Sequence, residues 1–455
     1  MISQFENTVC IILSNINELL WGIGTFLFIV LIGLYFTIRI KFCTILHFVK
    51  FFNVTFLTRQ KSESKFKNGK ISRFQGLSTA LAASMGTGNI IGVAAAISIG
   101  GPGAIFWMWI SGIFGTAIGF IENTLGYIFQ SHGKGPMGYI SYAFHSPRAS
   151  VLYSLLCVFA SFGIGNLTQA NALSAAAFEL GIPTSISGII AAALVALLIF
   201  NGSKTIASSA EKLVPFAAVL YLLGAFIVIV YYGNYITEVL IMIVKSAFGF
   251  DQISGGISAA ILKKSVTVGL RRGIFSNEAG LGSSVLVHSE INAKNPVEMG
   301  MLSVVEVIID TLICCTATAL VILLSGVDTT TSEGLELITL AFRSTMGDFA
   351  SFFVASVTII FAFCTLLGWY FYGEKCLEFS LKTGNSKAVF FYRIFYAVAV
   401  YVGSVAQLKV VWEIADILNW VMLVINLSAV LILHNYAVKE INHYTNSIIH
   451  KRNSI

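Results

Sequence analysis

Two short polar clusters interrupt long apolar stretches of this chain. The first is Gly86-Thr87-Gly88-Asn89, and the second is Phe275-Ser276-Asn277-Glu278-Ala279-Gly280. Glycine costs a helix about 1 kcal/mol relative to alanine, and serine and asparagine compete for backbone hydrogen bonds. Both clusters therefore predict a helix that breaks in mid-span. A bilayer tolerates unwound backbone only where protein buries it or where it lines a cavity. A half-helix starting after the first cluster presents free N–H groups and a positive dipole end, which suit a carboxylate. A half-helix ending there leaves carbonyls without partners, which suit an ammonium group or a hard cation. A zwitterionic amino acid satisfies both sets at once. Small residues also allow close helix packing, and Ala82, Ala83 and Gly92 are read that way.

Carboxylates inside apolar runs form the second group: Glu122, Glu278, Glu306, Asp310, Glu374, Glu413 and Asp416. Each costs about 2.5–3.5 kcal/mol to insert, so each needs a partner or a task. Glu278 is expected to cap freed N–H groups or to pair with Arg271 or Arg272, and Glu122 and Asp310 to form structural pairs. Trp107 and Trp109 read as interface anchors. The seven histidines show no metal-ligand spacing, and the seven cysteines are scattered through apolar runs, which excludes a disulfide framework or a CxxC site. No nucleophile–base pair or metal cluster marks an enzyme, and no ring of polar residues marks a channel. The basic residues form no patch interleaved with aromatics, so nucleic acid is not an expected partner.

The elements that must hold these residues follow from composition. Hydrophobic residues make up 56% of the 455 residues and charged residues 11%, well below the ~25% of soluble domains. With a mean hydropathy of +0.83, the chain reads as an all-α, multi-pass protein of the cell membrane. Eleven spans are predicted near 16–38, 74–99, 101–130, 150–178, 184–203, 213–233, 255–287, 297–326, 348–374, 388–406 and 410–436. The first has no basic residues before it and is too long for a signal-peptide core. The stretch 39–73 carries Arg39, Lys41, Lys50, Arg59, Lys61, Lys65, Lys67, Lys70 and Arg73 against one acid, Glu63. By the positive-inside rule it is cytoplasmic, which puts the N-terminus outside and the C-terminus inside. The two broken spans each open a block of five, and an odd block length inverts the second block relative to the first. The expected organisation is a peripheral span and basic loop (1–73), a first five-helix repeat (74–233), an inverted second repeat (255–436) and a cytoplasmic tail (437–455).

Longer motifs carry a resemblance. The run GTGNIIGVAAAISIGGPGAIFWMWISGIFG from Gly86 to Gly115 resembles the signature of the alanine or glycine:cation symporter family, also called sodium:alanine symporters. RRGIFSNEAGLGS from Arg271 to Ser283 is similar to the family's second hallmark. Weaker echoes occur at Gly165–Ser174, Val307–Leu323 and Cys364–Glu374. The resemblance implies a leucine-transporter-like fold with one peripheral helix, and sodium-coupled uptake of alanine, glycine or a similar small amino acid, with no organic cofactor. It places the substrate carboxylate at Thr87, Gly88 and Asn89 with Gln169 beside them. It places the amino group and pocket wall at Phe275, Ser276 and Asn277, with Trp369 closing the far side. The sodium ion would lie among the carbonyls of Ala82, Met85 and Phe361 and the side chains of Cys364 and Thr365. Three departures stand out. Cys364 occupies a position that commonly bears a hydroxyl, Gly112 replaces a small Ala, Ser or Thr, and GKGPMGYI (Gly133–Ile140) differs from the family's cytoplasmic-loop pattern. The same fold driven by protons, with Glu278, Asp310 or Glu122 as carrier, is the alternative.

Overall fold

The computed structural model describes residues 2–56, 71–249, 257–381, 386–406 and 409–453. The charge-rich residues from Arg59 to Lys70, on which much of the orientation rests, lie outside that set. Among the described residues the chain is helical apart from one isolated bridge between Ile71 and Ile291. In chain order, α1 (Ile2–Leu20) and α2 (Ile23–Arg39) precede two short helices, α3 (Cys43–Leu46) and α4 (Phe48–Phe56). Then come α5 (Arg73–Ser84), α6 (Ile91–Gly100), α7 (Gly103–Ile128), α8 (Pro136–Ala143), α9 (Pro147–Phe162) and α10 (Thr168–Glu179). They are followed by α11 (Thr184–Phe200), α12 (Ser203–Tyr231), α13 (Ile236–Phe248), α14 (Ile257–Asn277) and α15 (Ser283–His288). The chain continues with α16 (Pro296–Val307), α17 (Thr316–Leu324), α18 (Gly334–Met346), α19 (Phe349–Ser380), α20 (Ser386–Val405) and α21 (Lys409–Asn453).

Among the described residues eight helical stretches are long and apolar enough to cross a membrane. The bent pair α5–α6 makes a ninth. The two remaining expected spans have visible reasons for falling short. The 17-residue α11 is just under a full crossing. Lys263, Lys264, Arg271 and Arg272 dilute the apolar character of α14. Two spans are not uniformly α-helical: a π segment at Gly163–Leu167 joins α9 to α10, and another at Ile308–Cys315 joins α16 to α17. α21 runs without interruption past residue 436, where the sequence suggested a tail.

The broken helices sit centrally. α7 packs against α14 and α16, and α19 packs against α5, α9, α10 and α12. The packing is close where glycines allow it. A Cβ on Gly368 of α19 would stand 2.5 Å from the Ala83 nitrogen of α5. Outer spans leave large side chains uncovered, among them Ile189, Leu197, Leu223 and Phe226, as a lipid-facing surface does. The N-terminal helices are peripheral. Asn17 donates to the Glu413 carbonyl at 2.9 Å and Trp21 to the Asp416 carbonyl at 3.2 Å, which fixes α1 on α21. α2 buries Ile29, Ile32 and Phe36 and lies along α7.

Candidate functional site

The first break lies where the sequence placed it. Ser72 and Gln75 form a reciprocal capping box that starts α5, and the helix turns by 61° before α6. The Gly86 N–H donates to the Ser84 carbonyl at 2.9 Å. The Thr87 N–H reaches Gln169 Oε1 at 3.4 Å. A continuing helix would have given those two donors to Ala82 and Ala83, so both carbonyls are released from the ladder. Thr87 Oγ1 donates to Gln169 Oε1 at 3.0 Å, and Gln169 in turn donates to the Ile164 carbonyl within the π turn at 3.2 Å.

On the other side of this break stands α19. Thr365 Oγ1 donates to the Phe361 carbonyl at 3.1 Å, and it faces Gly86 so closely that a Cβ there would collide with it. Ala82, Met85, Phe361, Cys364 and Thr365, the five predicted sodium residues, are all buried where α5 and α19 pack together.

The second break is displaced toward the C-terminus from its expected position. Phe275, Ser276 and Asn277 still belong to α14, and the chain turns at Glu278 (φ 54°), Gly280 (φ 88°) and Gly282 (φ 79°). Left-handed backbone at three positions in five ends the helix, and two of the three are glycine because only glycine adopts it without cost. Asn277 Oδ1 accepts the Ala279 N–H at 3.0 Å. The freed groups find partners on other spans: the Gly280 N–H donates to Glu122 at 3.3 Å, and its carbonyl accepts from Asn426 at 2.8 Å. Tyr153 donates to the Leu281 carbonyl at 2.6 Å.

The carboxylates are therefore distributed differently from expectation. Glu122, not Glu278, caps the break. Glu278 accepts from Ser283 at 2.5 Å, while Arg271 pairs with Asp416 and Arg272 lies over the rings of Phe275 and Trp412. Asp310, in the second π segment, ties the two breaks together. Its carboxylate accepts from Asn89 at 2.7 Å, from Ser276 at 2.5 Å and from Thr311 at 2.8 Å. Trp107 and Trp109 spend their indole N–H groups inside the protein, on the Ala247 carbonyl and Thr316.

A cavity of about 330 Å³ opens beside the first break. Thr87, Gly88 and Phe275, three of the residues that the resemblance assigned to substrate, line it together with Ile91, Gly92, Ala95, Arg272, Glu333, Gly334 and Trp412. Gln169 stands behind Thr87, Asn89 and Ser276 turn to Asp310, and Asn277 packs toward Ser111 at 3.5 Å. Trp369 is buried against Gly165 and beside Glu278, away from the cavity lining. Arg272, Glu333 and Trp412 are the lining residues that sequence reasoning missed. The i, i+3 spacing of Arg272 and Phe275 on one helix face was the available signal. Nothing in the sequence linked either to Trp412.

A bundle of apolar helices, broken around a buried polar centre that meets a cavity, defines an integral membrane transporter. The chain belongs to the sodium:alanine symporter family, whose model matches residues 6–454. It is similar to a probable sodium/glutamine symporter, GlnT of Bacillus subtilis, at 38% identity over 94% of this chain and 89% of the relative. It is 34% identical to the sodium/alanine symporter AgcS of Methanococcus maripaludis, over 94% of this chain and 96% of that one. The amino-acid carrier protein AlsT of Bacillus subtilis matches at 34% over 94% and 90%. Proteins of this family are transporters and not enzymes, and sodium is their coupling ion.

Proposed function

We propose that this protein carries a small neutral amino acid, of the alanine or glycine class, into the cell together with sodium by alternating access. The observation that carries this reading is the convergence at Gly86. The Thr365 hydroxyl and the Thr87–Gln169 pair meet there, just past the turn of α5 whose carbonyls are released from the ladder, next to the cavity that Thr87 and Gly88 share with Phe275. A hard cation takes such oxygens, and the carboxylate of an amino acid takes Thr87, Gly88 and the start of α6. Eleven spans, arranged as two inverted repeats at 74–233 and 255–436 with the N-terminus outside, accommodate these elements.

In that orientation the structure is outward-facing. The cavity opens toward Glu333 and Gly334. The opposite side is held shut by the backbone pairing of Ile71 with Glu290 and Asn292, and by the ion pairs Arg73–Glu298 and Lys134–Glu290. The protein reconstituted in vesicles should take up alanine or glycine only under an inward sodium gradient. Glutamine, suggested by the name of the GlnT relative, should be tested in competition. Equal uptake with sodium replaced by choline overturns the reading. Uptake driven by an acid-outside gradient without sodium would transfer the coupling role to protons and to Glu122, Glu278 or Asp310.

A further inference from the structure

Glu306, one of the carboxylates inside apolar runs, and His288 take no part in the contacts and cavity described above. Glu306 is on α16 and His288 ends α15, the short half of the second broken helix. They are 1% and 0% exposed. Of the buried carboxylates Glu122, Glu278 and Asp310 accept hydrogen bonds, whereas among the described residues neither oxygen of Glu306 has a partner. The nearest polar atom recorded for it is His288 Nε2 at 3.7 Å, which is itself without a partner. That separation is just beyond a hydrogen bond.

The tautomer of His288 follows from its other nitrogen. Asn123 Nδ2 donates to the Gly119 carbonyl at 2.9 Å and to Ser284 at 3.3 Å, so Asn123 Oδ1 faces His288 Nδ1 at 2.8 Å as an acceptor. Nδ1 therefore carries the hydrogen, and Nε2 offers a lone pair to Glu306. Among the described residues, the groups around the pair supply no positive charge to balance a carboxylate. Glu122 on α7, Glu278 at the break and Asp310 beyond α16 are acids whose charges act on Glu306. Tyr372 on α19 is a phenol that feels both Glu278 and Glu306. On α5, Arg73 is committed to Glu298. On α4, Lys50 lies over Tyr444. Tyr139 of α8 and Asn426 of α21 are bound to each other, with Asn426 also on Glu122.

An ionised carboxylate so enclosed, with no cation and no donor, is the most expensive state available to it. We propose that Glu306 and His288 form a proton-binding site between α16 and α15, in which Glu306 holds the proton and His288 Nε2 receives its hydrogen bond. When α15 draws away from α16 and water enters, the Glu306 O–H bond breaks and the proton leaves to that water. The carboxylate that remains is stabilised by hydration. Proton occupancy then reports, and biases, the position of the second broken helix.

Infrared difference spectroscopy of the purified protein at neutral pH tests the assignment without any transported substrate. The expected result is a carboxylic-acid C=O band that shifts down in deuterated water and is lost in Glu306→Gln. In His288→Asn, which keeps Glu306, the band should persist and move up as its hydrogen bond weakens. Absence of any acid band assignable to Glu306 overturns the proposal. So does a band that disappears when sodium chloride replaces choline chloride at fixed pH, since a metal cation would then be the occupant. A second arm rests on the proposed symport and uses vesicles loaded with a pH dye. Under a sodium gradient, adding amino acid should change the lumenal pH in the wild type, while Glu306→Gln takes up label with no pH change. A pH change retained in Glu306→Gln, or uptake by the wild type without one, overturns the proton-release step. Absent sodium-driven uptake in both proteins would instead count against the symport reading.

Discussion

Replacing Glu298 by Gln should open the face of the protein that is shut in this structure. Arg73 Nη2 and Glu298 Oε2 are 2.7 Å apart, with the side chains 6% and 11% exposed, so the pair is screened little by solvent. The amide keeps the shape and one acceptor but removes the charge. A hydrogen bond to a charged group contributes about 1.5–3 kcal/mol. The pair bridges the start of α5 to the start of α16, two elements that separate for release on that side under the proposed alternating access. The loss therefore falls on the closed state, and at about 1.4 kcal/mol per decade the open population should rise roughly 10- to 100-fold. A cysteine introduced at Thr79, buried on the same half of α5, reports this through its rate of modification by an impermeant maleimide applied to inside-out vesicles. The rate should rise about tenfold or more in Glu298→Gln and Arg73→Ala. It should fall back when the charges are exchanged in the double variant Arg73→Glu, Glu298→Arg. Unchanged rates in both single variants would refute the assignment of this pair as a latch.

Thr365→Ala removes the hydroxyl that faces Gly86 and should raise the sodium concentration for half-maximal uptake by about tenfold, the scale of one hydrogen-bonding oxygen. Phe275→Ala clears a ring that touches Gly88, so competition assays should show glutamine gaining on alanine. Gly165→Ala drives a methyl into the Trp369 indole. Overpacking of this kind costs about 1–3 kcal/mol, which should appear as a lower melting temperature in detergent.

The breaks were legible to different degrees, for a local reason. GTGN at 86–89 breaks its helix where it stands, because two glycines there coincide with the loss of helical hydrogen bonds. FSNEAG was read as the break itself, but Phe275, Ser276 and Asn277 are helical and the turn is made by Glu278, Gly280 and Gly282. Polarity marked the region, whereas positive φ decided the position, and a non-glycine residue such as Glu278 gives no sequence sign that it will adopt it. The site was less legible than the fold. Asn89 and Ser276 were assigned to substrate from the resemblance, yet both are held by Asp310, a contact between segments over 200 and 30 residues apart. Trp412 reaches the cavity from α21, and only tertiary packing brings it there. Glu306 was singled out as a carboxylate in need of a partner, but His288 as that neighbour was hidden, since a lone histidine with no ligand spacing carries no pattern to find.

The two π segments bear on how this chain tolerates insertion and deletion. A π turn holds one residue more than an α turn, so it stores an extra residue inside an otherwise regular span. Removing one residue from Gly163–Leu167 would let that span close into a plain α-helix with its far half still in phase, whereas α winding with every residue kept would rotate everything beyond it by about 100°. Gln169 immediately follows that segment, so it would swing away from Thr87 although no functional residue had been touched. The same α winding of Ile308–Cys315 would turn Asp310 away from Asn89 or displace the span beyond it, where Thr318 donates to the Asn89 carbonyl. The π winding of these two spans is thus as binding a constraint on the polar centre as side-chain identity.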